Sequence, residues 1–359
     1  MTWREISADQ VEGLRNPLII DVRSPSEHEA ERILESINIP LFSDPERAII
    51  GTIYKQEGEM VARRHAVKII SPKIPAIIDE IVSLKKHGQT LVVYCWRGGL
   101  RSEAVASLLS VAGIDCMRIT GGYKAWRAQV LKDLAQCQLS DRAIVLHGHT
   151  GTGKTELLQA LKESGVQVVD LENLASHRGS VFGALGLGPQ PSQKNFDAAL
   201  RKELKGLSPG PVVLEAESRK IGRLSIPDCI LNAIRDGKPV LVKGSLLKRS
   251  ERIAGDYLRC QSEDGAEIEQ AVELLGYLKE RLGAKMIAMI EGMVRGGQIL
   301  EAVTLLLTDY YDPLYNKQIE RARPFSLEIN ADDPKQAAET VAAWLSEVGN
   351  RENVILPQK

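Results

Sequence analysis

Cys95 is where the sequence offers its clearest chemistry. It closes the apolar run Thr90-Leu-Val-Val-Tyr94 and is followed by Trp96-Arg-Gly-Gly-Leu-Arg-Ser102. A short continuous apolar run reads as a buried parallel strand, and parallel sheets bind their ligands outside the carboxyl ends of the strands. Gly98 and Gly99 let successive backbone N–H groups turn inward as an anion-binding nest. The helical pattern Glu103–Leu109 adds the positive end of its dipole. A thiol in that setting, beside Arg97 and Arg101, is expected to react as a thiolate. The same cradle would hold the oxyanion of a persulfide, selenide or phosphate donor. For Cys116, Cys137, Cys229 and Cys260 the better reading is an ordinary packed thiol.

A second loop asks for phosphate. Gly148-His-Thr-Gly-Thr-Gly-Lys-Thr155 fits G-x-x-x-x-G-K-[ST] between the strand pattern Ala143–His147 and a helix. Its backbone N–H groups, freed by Gly148, Gly151 and Gly153, would wrap a phosphate chain, and Lys154 would reach the terminal charge. Thr155 could hold Mg²⁺ if the ligand brings one. Asp170 and Glu215 each end a short apolar run, so either is a metal-facing carboxylate or an ordinary strand-end acid. Ser176-His-Arg-Gly-Ser-Val-Phe-Gly183 suits a substrate loop, or a plain surface loop. Arg178, Arg219, Lys220 and Arg223 are candidate contacts to nucleic-acid phosphates. Tyr310-Tyr-Asp-Pro-Leu-Tyr315 could stack bases, although aromatics around Asp-Pro read more readily as a turn.

These loops need strands and helices to carry them. Leu18–Val22, Thr90–Tyr94 and Met117–Ile119 read as strands of one parallel sheet. Ala143–His147, Val166–Asp170, Pro211–Glu215 and Pro239–Lys243 read as strands of another. Helical stretches such as 103–109, 156–162 and 195–205 lie between them, and 266–307 is helical in pattern. Alternation of this kind gives parallel sheets covered on both faces. A polar helical connector over 128–141 places the domain boundary, giving 1–130 and 131–359.

Composition agrees with two packed domains. The chain has 359 residues, 43% hydrophobic and 26% charged, without a low-complexity tract. No apolar run approaches the roughly 18 residues of a membrane span, and the start lacks a signal-peptide layout, so a cytoplasmic protein is expected. Five scattered cysteines without a C-x-x-C pair, and six histidines without ligand spacing, argue for reduced thiols and no structural metal. The net charge of −1 conceals a basic block over 178–259, with 15 Lys/Arg against 8 Asp/Glu, and an acidic one over 260–359, with 10 against 17. The basic block either binds a polyanion or is neutralised by the acidic one.

Asp21-Val-Arg23, Ile37-Asn-Ile-Pro40, Tyr94-Cys95…Gly98…Arg101-Ser102 and Gly121-Gly-Tyr-Lys-Ala-Trp126 resemble a rhodanese domain over about 125 residues. Two departures stand out. Cys95 to Arg101 is C-x5-R, one residue longer than the usual sulfurtransferase loop and equal to that of rhodanese-fold phosphatases. Glu31-Arg-Ile-Leu-Glu-Ser36 replaces the usual Gly-His-Ile-Pro-Gly-Ala-like turn. Over nearly the whole chain, Ile50–Gly58, Tyr94–Ser102, Gly121-Gly-Tyr-Lys124, the phosphate loop, Ser176-His-Arg-Gly179, Glu217-Ser-Arg219 and Tyr311–Tyr315 resemble the bacterial tRNA 2-selenouridine synthases. That resemblance implies tRNA as substrate, with no tightly bound cofactor and two co-substrates. Geranyl diphosphate alkylates a wobble 2-thiouridine, and selenophosphate then supplies the selenium that displaces the S-geranyl group. It also implies that Cys95 carries selenium as a selanylcysteine. Neither donor needs ATP for activation, so the phosphate loop is expected to grip the geranyl diphosphate. Val181, Phe182, Leu185 and Leu187 are candidates for the tail pocket. The alternatives are a sulfurtransferase or C-x5-R phosphatase fused to a nucleotide-binding domain, and a non-enzymatic tRNA- or nucleotide-binding module. The phosphatase lacks a His before its cysteine here, Tyr94 standing in that place. The non-enzymatic module would need a missing or blocked nucleophile.

Overall fold

A computed structural model describes residues 3–258 and 266–355. Cys260, and Arg259 at the end of the basic block, lie outside the described residues. The chain forms two compact units: Met1–Leu134 with Ser192–Arg201, and Ala135–Pro191 with Lys202–Lys359.

The first unit is built on β1 (Trp3–Ile6), β2 (Pro17–Asp21), β3 (Ile37–Asn38), β4 (Thr90–Tyr94) and β5 (Cys116–Ile119), in the order β1-β5-β4-β2-β3, all parallel. The register Pro17↔Thr90 through Asp21↔Tyr94 sets Asp21 beside the end of the central strand. Leu91, Val92, Val93 and Tyr94 are at most 1% exposed, as the unbroken apolar run requires of a strand covered on both faces. Ile20, Val93, Ala106 and Leu109 sit in the core cluster of this unit.

In the second unit β6 (Ala143–His147), β7 (Val168–Val169), β8 (Val212–Glu215), β11 (Lys238–Lys243) and β12 (Leu327–Asn330) make a parallel sheet of order β12-β11-β6-β8-β7. Between β8 and β11 a small antiparallel hairpin pairs β9 (Lys220–Ile221) with β10 (Leu224–Ser225). Leu157, Leu158 and Leu161 on one face of the helix Lys154–Glu163 pack on the sheet with Val341 and Leu345 of the helix Pro334–Ile355. A separate cluster joins Phe182 and Leu185 to the helices Ala266–Gly276, Ala284–Arg295 and Ile299–Leu306. Both sheets are of the parallel α/β kind expected, and the helical carboxyl-terminal part is present. No helix among the described residues is long and apolar enough to cross a membrane.

Three local readings change. Of the connector over 128–141, residues up to Gln136 are the later part of a helix that begins at Gly122, and Ser140–Arg142 forms a short 3-10 turn. Tyr310–Tyr315 is not a turn. A π-helical segment, Leu307–Tyr311, runs directly into the helix Asp312–Arg321, whose first turn accepts Pro313 because the missing N–H would have no helical partner there. Strands β1 and β12, each only four residues long, carried no clear signal in the sequence.

Candidate functional site

Cys95 stands immediately past β4 and is 3% exposed. Its Sγ lies 3.2 Å from Ser102 Oγ and 3.7 Å from Gly99 O. Ser102 sits in the first turn of the helix Leu100–Val111, so the loop closes on the thiol from the helix side. The Gly121-Gly122 turn closes it from the other: Tyr123 N donates to Cys95 O at 2.8 Å and Lys124 N to Trp96 O at 2.9 Å. Glycine is obligatory at two of these positions. Gly98 has φ +62°, and a Cβ there would sit 2.7 Å from Ile119 O; Gly122 has φ +57°, and a Cβ would strike Cys95 O and Gly98 N.

The two loop arginines part company. Arg97 is exposed. Arg101 donates to Glu27 at 2.5 and 3.2 Å, and Glu27 also accepts from Ser24 N at 3.2 Å. Burial pushes Glu27 upward, but the Arg101 hydrogen bond and charge outweigh it and hold the carboxyl below the usual range. Arg101 is therefore a bracing residue of the loop. Such a pair disfavours the phosphatase alternative, which would need that arginine for phosphate.

Beneath the loop, Asp21 and Arg23 are wholly buried and paired, Arg23 Nη2 reaching Asp21 Oδ2 at 2.6 Å and Glu31 O at 2.5 Å. Tyr94 donates to Asp21 Oδ2 at 2.8 Å and accepts from Ile33 N at 3.2 Å. Tyr94 and Arg23 thus pin the divergent 31–36 turn. Sequence reasoning missed the contribution of Ser192–Arg201 to this unit. Lys194 pairs with Glu31 and lies 5.7 Å from the Trp96 ring, Asp197 binds Arg127 at 2.5 Å, and Arg201 binds Asp133 at 2.6 Å while also pairing with Glu12.

In the second unit the phosphate loop follows β6, all of whose residues are buried. Gly151 and Gly153 have φ +78° and +89°, and a Cβ on Gly148 would lie 2.5 Å from Val242 O. Lys154 Nζ donates to Gly148 O and His149 O, each at 3.1 Å. Burial pushes Lys154 down, against the charges of Glu172, Glu217 and Glu215. Two arginines from the helix Leu246–Leu258 brace the loop: Arg249 Nε donates to Thr150 O at 2.9 Å and Arg252 Nη1 to Gly151 O at 3.3 Å.

The candidate carboxylates separate. Asp170 caps the helix Leu171–Ala175, its Oδ1 accepting from Asn173 N at 2.9 Å. Glu215 is wholly buried; one oxygen accepts from Glu172 N at 2.8 Å and Oε2 has no hydrogen-bond partner. Sequence reasoning passed over Glu172, whose Oε2 lies 3.4 Å from Thr155 Oγ1. Burial and then Glu217 push Glu172 up to about 8, and burial with Glu172 and Asp170 raises Glu215 well above the usual carboxylate range. Among the described residues no group of three or more His, Cys, Asp or Glu is placed to hold a metal ion by itself.

Beside the loop opens a cavity of about 180 Å³, room for roughly six waters at about 30 Å³ each and hence for a ligand. Its polar lining includes Lys154, Thr155, Glu172, Glu217, Arg178 and Arg252; its apolar lining includes Ile253, Leu275, Val294, Ile299, Val303 and Leu306. Phe182, Tyr311 and Tyr315 also line it. Of the expected tail residues only Phe182 faces this space. Leu185 and Val181 belong to the adjoining core cluster, and Leu187 lines a neighbouring groove with Asp170 and Asn173. Among the candidate nucleic-acid contacts, Arg219, Lys220 and Arg223 are exposed on or beside the β9–β10 hairpin, whereas Arg178 is a cavity residue. Cys137 and Cys229, far apart in sequence, meet in a thiol–thiol hydrogen bond that lowers Cys137 to about 7.

A buried parallel strand ending in a cysteine loop, and a second ending in a phosphate loop, define a rhodanese-like domain joined to a P-loop domain. The comparisons with known proteins agree: residues 7–129 match the rhodanese-like domain, and residues 141–348 match the tRNA 2-selenouridine synthase AAA domain. The tRNA 2-selenouridine synthase of Aeromonas salmonicida is 36% identical, over 85% of this chain and 88% of its own length. Those of Shewanella frigidimarina and Pseudomonas syringae are 32% and 33% identical, over 86% and 84% of this chain and 90% and 88% of theirs. The chain belongs to the tRNA 2-selenouridine synthase family.

Proposed function

We propose that this protein is a tRNA-modifying transferase that S-geranylates a wobble 2-thiouridine with geranyl diphosphate and then exchanges the S-geranyl group for selenium from selenophosphate. The observation that supports it best is one cavity lined both by the phosphate loop and by apolar side chains. A prenyl diphosphate has that same division. Each buried methylene contributes about 0.8 kcal/mol, so a ten-carbon tail gains several kcal/mol from such walls. The charge that develops on the leaving diphosphate falls to the loop amides and Lys154. Thr155 and Glu172 fit a Mg²⁺ ion that arrives with the diphosphate, because Mg²⁺ takes one or two protein ligands and fills the rest with phosphate and water.

Selenium exchange is assigned to the first unit. The C2–S bond breaks with its electron pair on the geranylthiol sulfur, a C2–Se bond forms, and the phosphoryl group passes to water. To Cys95, with Ser102 in hydrogen-bond reach, we assign binding of the selenium donor; selenium stays at the selenide level from selenophosphate to product, so no oxidant is needed. Arg219, Lys220 and Arg223 give tRNA an exposed basic surface, so affinity should fall steeply with salt as counterions are released. Filling the apolar end with Val303→Trp tests the cavity directly. Calorimetry should show about tenfold weaker binding of geranyl diphosphate, a change of about 1.4 kcal/mol, with inorganic diphosphate unaffected. Tight ATP binding by the wild-type protein without geranyl diphosphate binding would overturn the reading.

A further inference from the structure

Lys154 is hemmed in by acid: Glu172, Glu215 and Glu217 all act on its charge. One buried ammonium is a small counter-charge for a diphosphate, which gains further negative charge as it leaves. Two other cations line the same cavity, Arg178 and Arg252. Arg252 is occupied with the protein itself, donating to Gly151 O at 3.3 Å, to Asp332 O at 3.1 Å and to Ala331 O. Arg178 is held at two points, Nη1 donating to Leu185 O at 2.9 Å and Nε standing 3.7 Å from Asp256. Its Nη2 has no hydrogen bond among the described residues.

The surrounding loop is built to aim that side chain. Ser176, at φ +48°, turns the chain out of the helix Leu171–Ala175, and His177 N donates to Glu172 O at 3.0 Å. Arg178 N donates to Gly183 O at 3.0 Å, and Gly183 N to Ser180 O at 2.9 Å, closing a tight turn. Gly179 at φ +66° lies against two of the acids: a Cβ there would be 3.0 Å from Glu217 Oε1 and 3.1 Å from Glu172 Oε1. Arg178 also lines the neighbouring groove, which shares Thr155, Glu156 and Glu172 with the cavity, so it stands where the two spaces meet.

We propose that Arg178 is a catalytic residue of geranyl transfer, its guanidinium binding the diphosphate and stabilising it as it departs. This deepens the function proposed above and rests on it. The thiouridine sulfur forms a bond to C1 of the geranyl group, the C1–O bond breaks with its electron pair on the diphosphate, and the uridine N3 proton passes to water. Arginine suits the task because it stays charged beside carboxylates and offers paired donors to phosphate oxygens. The sequence alone had suggested a tRNA contact for this residue, and the two roles separate cleanly.

Arg178→Ala and Arg178→Lys would be assayed with 2-thio tRNA and with pre-geranylated tRNA, beside wild type and Lys154→Ala. Calorimetry with inorganic diphosphate would complete the set. Arg178→Ala should slow geranyl transfer about 100-fold and weaken diphosphate binding about tenfold, with Arg178→Lys recovering part of both. Selenium exchange on pre-geranylated tRNA and the salt dependence of tRNA binding should stay as in wild type. Weaker tRNA binding with a salt slope reduced by about one would overturn the proposal in favour of a phosphate-backbone contact. So would geranyl transfer at the wild-type rate in Arg178→Ala while Lys154→Ala is slow, which leaves the phosphate-loop reading standing. If Lys154→Ala also geranylates at the wild-type rate, that reading itself falls, and this proposal with it.

Discussion

Cys95 and Gly148 each stand one residue past a buried parallel strand, on glycine-rich loops that lead into helices, yet their surroundings differ in kind. Around Cys95 the charges are matched in pairs: Arg101 with Glu27, and Arg23 with Asp21. Around Lys154 the balance is broken, with Glu172 pushed upward by burial and Glu217, and Glu215 by burial and Glu172. The first loop is a closed frame around one sulfur, and the second is the end wall of an open cavity. A closed frame suits holding a single atom. A glycine loop with a lysine, beside apolar side chains, suits a ligand with a phosphate head and an apolar tail.

The sharpest way to break this comparison is to remove each loop's reactive group and follow the two half-reactions by nucleoside mass spectrometry. Cys95→Ala should abolish 2-selenouridine formation while S-geranyl-2-thiouridine accumulates. Selenium product at the wild-type rate would end the carrier role. Lys154→Ala should slow geranyl transfer about 100- to 1000-fold and convert pre-geranylated tRNA almost normally. If it blocked only the selenium step, the phosphate loop would serve selenophosphate and the roles of the two loops would be exchanged.

Smaller effects sharpen it further. Gly122→Ala places a Cβ against Cys95 O and Gly98 N at φ +57°, whereas Gly99→Ala meets nothing within 4 Å. Thermal unfolding should register about 1–3 kcal/mol of destabilisation for the first change and, for the second, a change within about 0.5 kcal/mol. Equal melting temperatures would show that the frame yields more readily than its packing indicates.

The smallest effect is a difference of sign in pH. Glu27 has a folded-state pKa below its unfolded value, so its contribution is present above the ordinary carboxylate range and is lost as pH falls through the depressed value. Glu172 is raised from 4.5 to about 8, so the unfolded chain releases this proton first and stability declines as pH rises between those values. Hydrogen exchange should therefore show the Cys95 loop loosening first in acid and the Lys154 loop first toward pH 8. Glu172→Gln should flatten the second trend, and an unchanged slope in that variant would remove Glu172 as its cause.

The cysteine loop and the phosphate loop were legible in the sequence because each depends on a local strand–loop–helix segment. An apolar run ending at Tyr94 or His147, a glycine that must take positive φ, and a cysteine or lysine at fixed spacing are all written within about ten residues. Glu172 and the apolar walls were not legible. They come from segments far apart in the chain, and an acid in a short helix or a leucine in an amphipathic one looks the same whether or not it lines a cavity. The role of Arg178 was hidden for the same reason, since a basic residue in a polar loop reads as surface until the partners of that loop are known.

The sequence by itself determined two parallel α/β sheets, the position of the thiol and the position of the phosphate loop, because strand periodicity and loop glycines are local constraints. Tertiary structure decided which cations are engaged and which line the cavity, since that depends on partners such as Glu27, Asp332 and Asp256 brought in from distant segments. It also decided that Ser192–Arg201 packs with the first unit. The helical pattern of that segment fixes its shape, but its place follows from the fit of Lys194, Asp197 and Arg201 to Glu31, Arg127 and Asp133. Charge complementarity between residues far apart in the chain has no signature until the fold sets them side by side.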